Sequence, residues 1–284
     1  MSSYKIICNN TVDLPETLIN ELDIIVLPLG FTIGDDSYKS MPAADFYQKI
    51  KEGAMPTTNA ASLGEWIDTF EPVLKEGQDI LCVAFNSALS LTYNAALMAA
   101  AELGEQYPER KIIVVDSISA SVGEGLLVRM AAVMRKEGKS IEETRDHLEA
   151  NKGNIAHWVT VDDLGHLKRG GRISGAQAVL GGMLGVKPLL KIDDSGKLVP
   201  ADKIRGRAAS LQKLVALAKE GALNPAEHVM AIAHSACLEE AKQVAKEIQE
   251  AIAPKEIIFS DIGPVIGSHT GIGVIAVCFL AEKR

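Results

Sequence analysis

The side chains that could do chemistry gather in three short polar segments and one basic one. Residues 263–273, Gly-Pro-Val-Ile-Gly-Ser-His-Thr-Gly-Ile-Gly, set the His269 imidazole in a glycine-rich turn between two apolar runs. Glycine allows backbone conformations and close approaches that side chains forbid, and histidine offers one or two hydrogen bonds near neutral pH. Two further segments, Pro56-Thr57-Thr58-Asn59-Ala60-Ala61-Ser62 and Asn86-Ser87-Ala88-Leu89-Ser90-Leu91-Thr92, place hydroxyls ahead of helical stretches. Ser62 is a natural N-cap, and capping accounts for one of Ser87, Ser90 and Thr92. Thr57 and Thr58 are left over. Hydroxyls, N–H groups at helix starts and an imidazole together suit a small anion, a carboxylate as well as a phosphate. His269 taken alone equally suits a structural ring that satisfies backbone groups in a turn.

Other chemistries find less support. Gly271-Ile272-Gly273-Val274-Ile275-Ala276 matches the dinucleotide pattern, but a strand-like run follows it where a helix should receive the pyrophosphate. No G-x-S-x-G occurs, and Ser268 beside His269 does not place hydroxyl against imidazole. Histidines 147, 157, 166, 228, 234 and 269 show no metal-binding spacing, so neither a metal nor another cofactor is expected. Cys8, Cys82, Cys237 and Cys278 lie far apart, in or beside apolar segments, and read as reduced thiols of the core.

Between residues 168 and 207 nine basic side chains stand against three aspartates, a surplus of +6 in a chain whose net charge is −8. That stretch forms either a basic face for an acidic partner or phosphorylated ligand, or an ordinary solvated surface. The acidic balance of the whole argues against nucleic acid as a partner. No apolar run reaches the ~18 residues of a membrane span and no leader pattern opens the chain, so cytoplasmic residence without stable membrane insertion is expected.

The polar segments need elements to position them. Strand-like runs at 4–8, 79–85 and 111–115 are each followed by a polar loop and a helix, the order of a parallel α/β sheet whose ligands sit beyond the strand carboxyl ends. A helix over 141–151 and a strand over 155–161 mark a domain boundary, giving domains 1–154 and 155–284. In the second, Asp193-Asp194-Ser195-Gly196 signals a hairpin, and a stripe of Leu238, Ala241, Ala245, Ile248 and Ile252 a helix packed on a sheet. The fold class is therefore α/β in two domains: a Rossmann-like parallel α/β/α layer, then a two-layer α/β domain with a mixed sheet.

Taken in order, Asn10-Thr11-Val12-Asp13-Leu14-Pro15, Pro56-Thr57-Thr58, residues 86–93, Val115-Asp116-Ser117 with Gly123-Glu124-Gly125, Lys168-Arg169-Gly170-Gly171-Arg172-Ile173 and residues 263–273 resemble the DegV family of bacterial fatty-acid-binding proteins. The resemblance spans nearly the whole chain. It implies a long-chain fatty acid buried between the two domains, its carboxylate held by Thr58, Ser87 and His269, with Ser90 as the alternative serine. It also implies a non-catalytic role: presenting that carboxylate to the catalytic subunit of a fatty acid kinase, which uses ATP to make an acyl phosphate. Arg172 and Arg205 match positions implicated in engaging that subunit or the phosphorylated head group. Asn59, Ala60 and Ala61 depart from the family's Ser-Gln-Pro, Asn86 from its first Ser, and Leu91 from its Gly. Two alternatives stand beside this reading: an enzyme acting on a small phosphorylated or carboxylated metabolite with His269 as acid–base, and a lipid sensor acting through the basic segment.

Overall fold

In the computed structural model, which describes residues 4–162, 164–174 and 185–284, the first half of the chain runs β1 (Tyr4–Asn9), α1 (Glu16–Glu21), β2 (Ile24–Leu27), β3 (Phe31–Ile33), β4 (Asp36–Tyr38), α2 (Ala43–Lys51), β5 (Thr57–Thr58), α3 (Leu63–Lys75), β6 (Asp79–Ala84), α4 (Thr92–Gln106), β7 (Ile112–Asp116), α5 (Val122–Lys136) and α6 (Ile141–Asn151). The second half runs β8 (Ile155–Thr160), α7 (Gly165–Arg169), β9 (Val186–Ile192), β10 (Leu198–Arg205), α8 (Arg207–Gly221), β11 (Val229–His234), α9 (Leu238–Ile252), β12 (Glu256–Asp261), α10 (Pro264–Thr270) and β13 (Ile275–Leu280).

Strands β2-β1-β6-β7 form an all-parallel sheet. Its central strand β6 is buried from Ile80 to Ala84, the near-continuous apolar run expected of a strand covered on both faces. One cover is α3 and α4, which bring Trp66, Phe70 and Leu103 against Ile80 and Cys82. Helix α3 starts where expected: Ser62 and Glu65 form a reciprocal capping box. From β8 onward every described strand belongs to a mixed sheet of order β10-β9-β8-β13-β11-β12, antiparallel throughout except for the β11–β12 pair. The β9–β10 hairpin turns through residues 193–196 with Gly196 at φ +80. Helices α8 and α9 cover the outer face, through Leu214, Ala218, Ala241, Val244 and Ile248.

Helix α5 is the wall between the sheets. Residues 122–128 are all buried, and its side chains share one apolar core with β1, β6, β8 and β11. So close an approach requires Gly123, where an added Cβ would stand 2.0 Å from His157 Nε2.

The expected parallel layer and the mixed sheet are both present, and several local expectations are corrected. Residues 263–273 are not a simple turn: Pro264 enters at the first helical position after Gly263 and α10 forms, a start that suits proline because its missing N–H is unpaired there anyway. On α9 the buried stripe is Ala241, Val244 and Ile248, with Leu238 left 42% exposed because it sits on the helix's first turn. Residues 31–58 add what periodicity did not signal: α2 and a small antiparallel sheet β4-β3-β5, whose strands are too short to show a pattern.

Candidate functional site

Strand β5 is two residues long, and its pleat sends Thr57 outward and Thr58 inward, opposite Phe31 of β3. Helix α10 brings His269 to the same place, with Nε2 2.7 Å from Thr58 Oγ1. The ring's other edge lies on Gly170, where an added Cβ would stand 2.1 Å from Nδ1. Nδ1 is buried and has no partner among the described residues. If Thr58 donated to Nε2, the proton on Nδ1 would be a buried, orphaned N–H, the rarer and costlier kind of unsatisfied group. The better arrangement has Nε2–H donating to Thr58 Oγ1, which leaves the Thr58 hydroxyl proton free. Burial, together with the neighbouring Arg172 charge, pushes the His269 imidazole down to about 4, so the ring is neutral at pH 7.

Arg172 stands beside them. Its Nε donates to Leu89 O at 3.1 Å and its Nη1 to Gly170 O. Burial lowers its pKa below the ordinary guanidinium value. Its partners among the described residues are carbonyls, so its charge has no carboxylate partner among them. An anion would supply one.

Thr58, His269, Arg172 and Ser90 line part of a cavity of about 230 Å³ between the two sheets. Its other walls are largely apolar: Leu29, Phe85 and Ala120 from the parallel layer, and Val159, Ile192 and Val274 from the mixed-sheet side. Phe85 and Ala120 follow the carboxyl ends of β6 and β7, where parallel sheets place ligands. The mouth includes Asn59, Ala60 and Leu91, the last 70% exposed. Such a cavity accommodates an amphiphile with one anionic end.

Of the two candidate serines the structure brings Ser90, and not Ser87, to the cavity. Asn86 Oδ1 accepts from Ala88 N at 2.9 Å and Asp116 Oδ1 from Ser87 N at 3.1 Å, a local turn that leaves Ser87 exposed. Arg205 lies at the exposed end of β10, an edge strand, outside the cavity lining. Within the basic segment Lys187 pairs with Asp162, and Arg207 with Glu240, so part of its surplus is neutralised locally. All four cysteines are free, but Cys237 is only half-buried.

Sequence reasoning missed two residues that support the site from outside the cavity lining. Asp13, buried and at φ 47, accepts from Ser121 Oγ and, at 2.9 Å, from Gly263 N at the start of α10. Burial raises its carboxyl to about 7. Thr92, read as one of three capping hydroxyls, instead joins the Ser90 loop to Ala61. An Asp two residues ahead of a proline and a Thr at a helix start each have ordinary local explanations, which hid both.

The DegV family model, described as an uncharacterised protein family, matches residues 3–282. A DegV domain-containing protein of Clostridium perfringens is 42% identical over all of this chain and 99% of its own length. A solved DegV family protein from Thermus thermophilus, described by its fatty acid binding, superposes with a TM-score of 0.87 at 29% identity over 98% of this chain and 99% of that one. DegV of Bacillus subtilis, described as a fatty acid binding protein, does so with a TM-score of 0.85 at 28% identity over 99% and 100%.

Proposed function

The chain belongs to the DegV family, and we propose that it binds a long-chain fatty acid between domains 1–154 and 155–284 and presents the carboxylate to a separate, ATP-dependent fatty acid kinase subunit. The observation that carries this reading is the cavity itself: apolar walls drawn from both sheets, with Thr58, Ser90, His269 and Arg172 among the polar groups in its lining. A carboxylate taken out of water needs hydrogen-bond donors, while an acyl chain gains about 0.8 kcal/mol for each buried CH₂. Thr58 and Ser90 hold the head group in this reading, with the Arg172 charge opposite it and His269 behind Thr58. Ser87 lies too far toward solvent to share that task directly. The apolar walls favour an acyl chain over a small polar metabolite.

In the kinase step the protein is substrate platform rather than catalyst. Arg172 steadies the developing phosphate, since guanidinium binds phosphate oxygens in a fork, and exposed Arg205 meets the partner. The deciding experiment is denaturing mass spectrometry of the purified protein, followed by fatty acid binding to delipidated protein. Co-purified acyl chains and rebinding are expected; neither being found rejects the reading. Acyl phosphate formation when a fatty acid kinase catalytic subunit and ATP are added tests the second half, and its absence with loaded protein would leave a fatty acid carrier without that partner.

A further inference from the structure

Thr92 is fully buried at the first turn of α4, and its hydroxyl makes two contacts among the described residues: Oγ1 accepts from Ala61 N at 3.2 Å and lies 2.9 Å from Ser90 Oγ. Thr92 N also donates to Ser90 Oγ, at 3.2 Å. A hydroxyl carries one proton and two lone pairs, so the direction of the Ser90–Thr92 bond can be worked out by accounting. Were Ser90 the donor, the Thr92 proton would be buried with no acceptor among the described residues, and the full desolvation of that group would be lost. With Thr92 as the donor, every polar atom of Thr92 is satisfied. Ser90 Oγ then accepts twice, from Thr92 O–H and Thr92 N–H, and its own proton has no partner among the described residues. That proton sits on a side chain of the cavity lining.

We infer that Thr92 is a positioning residue that makes Ser90 a dedicated hydrogen-bond donor to the ligand's head group. The inference rests on the fatty-acid reading above and adds a selection rule to it. With Thr58 O–H, Ser90 O–H and Arg172 all donors, the head-group site favours a group that only accepts hydrogen bonds. An ionised carboxylate takes all three donors without a proton of its own to place; a primary alcohol draws less on them and has only the second lone pair of Thr58 Oγ1 for its proton. Thr92 also sets the spacing of the two loops: Ala61 follows Thr58 by three positions, and Trp66 Nε1 donates to Thr92 O at 3.1 Å.

The test compares palmitate with hexadecanol on the delipidated full chain, for wild type, Ser90→Ala, Thr92→Val, Thr92→Ser and the Ser90→Ala/Thr92→Val double variant. Losing one hydrogen bond to a charged group should weaken palmitate binding about tenfold in both Ser90→Ala and Thr92→Val, while hexadecanol changes by less than about twofold. Thr92→Ser restores wild-type palmitate affinity, and the double variant is no weaker than Ser90→Ala, because the two residues act as one donor. Equal losses for acid and alcohol in Thr92→Val, or losses that multiply in the double variant, overturn the inference. Should Thr92→Val not fold, Ser90→Ala decides it: palmitate affinity equal to wild type overturns it, and a loss confined to the acid supports it. Wild-type protein that binds neither ligand fails at the earlier step, sinking the fatty-acid reading and this inference together.

Discussion

Carboxylate binding at this site should draw a proton onto His269. Burial and Arg172 hold the imidazole at about 4 against its ordinary 6.5, which corresponds to about 3 kcal/mol against the charged form. The folded state keeps the ring neutral while the unfolded chain protonates near 6.5. Stability from this group is therefore complete above pH 6.5 and falls by up to about 3 kcal/mol as the pH drops toward 4. A bound carboxylate reverses the local balance: an anion within a few ångströms favours imidazolium and offsets the Arg172 charge. If it brings His269 back to about 6.5, binding takes up about 0.7 proton at pH 6 and almost none at pH 8, and affinity at pH 6 is about fourfold higher than at pH 8. Calorimetric titration of laurate in two buffers of different ionisation enthalpy, at both pH values, reads the proton count directly. His269→Asn should abolish the uptake. No uptake by wild type at pH 6, or equal uptake by His269→Asn, would refute the coupling.

Three further substitutions test the surrounding structure. Gly170→Ala puts a methyl where His269 Nδ1 now lies, 2.1 Å from it, so the ring must leave Thr58; laurate affinity should fall about tenfold, with an unchanged far-ultraviolet spectrum showing the fold intact. Gly123→Ala drives a methyl into the His157 ring at the contact between α5 and β8; overpacking there should destabilise by about 1–3 kcal/mol or more, read from the denaturant midpoint. The Asp13 carboxyl, raised to about 7 from an ordinary 3.8, gives the opposite pH dependence to His269: the folded state holds its proton longer than the unfolded chain, so this contribution is lost as the pH rises from about 4 to 7, by up to about 4 kcal/mol. Asp13→Asn should remove that dependence, and a wild-type-minus-variant stability difference that stays flat from pH 4 to 8 would contradict the assigned burial.

The layers were legible because their signals are local. The strand–loop–helix order of 4–21, 79–106 and 112–136 follows from apolar runs and caps, and the β9–β10 hairpin from one glycine turn. Residue types also pointed to the cluster that Thr58 and His269 form, though they are 211 positions apart. What stayed hidden depends on contacts made only after folding. Ser87 and Ser90 look alike in sequence, and a single Asx-type turn at Asn86 decides between them. Short strands such as β5 carry too few residues for periodicity, and the contact between Asp13 and Gly263 spans 250 positions with nothing local to announce it.

That contact belongs to a set which couples the site to the docking of the two sheets. Near its start α10 is tied to the N-terminal half by Asp13 at Gly263 N and by Tyr47, whose hydroxyl donates to Ile262 O at 2.7 Å; near its end Thr58 meets His269. The hairpin is tied across the layers as well, Asn86 Nδ2 donating to Gly196 O at 2.8 Å, and Arg284 donates to Ile118 O and to Asp193 O. The cavity walls between these ties face one another without filling the space, and walls without partner atoms forgo dispersion contacts. On the proposed function an acyl chain would supply those contacts to both sheets at once, so its affinity would include the energy of holding them together. In the fatty-acid reading the head group, by contrast, meets donors fixed by their own neighbours: His269 behind Thr58 and Thr92 behind Ser90. Chain length should therefore tune affinity continuously, while the direction of two hydroxyl protons sets the preference for a head group that only accepts hydrogen bonds.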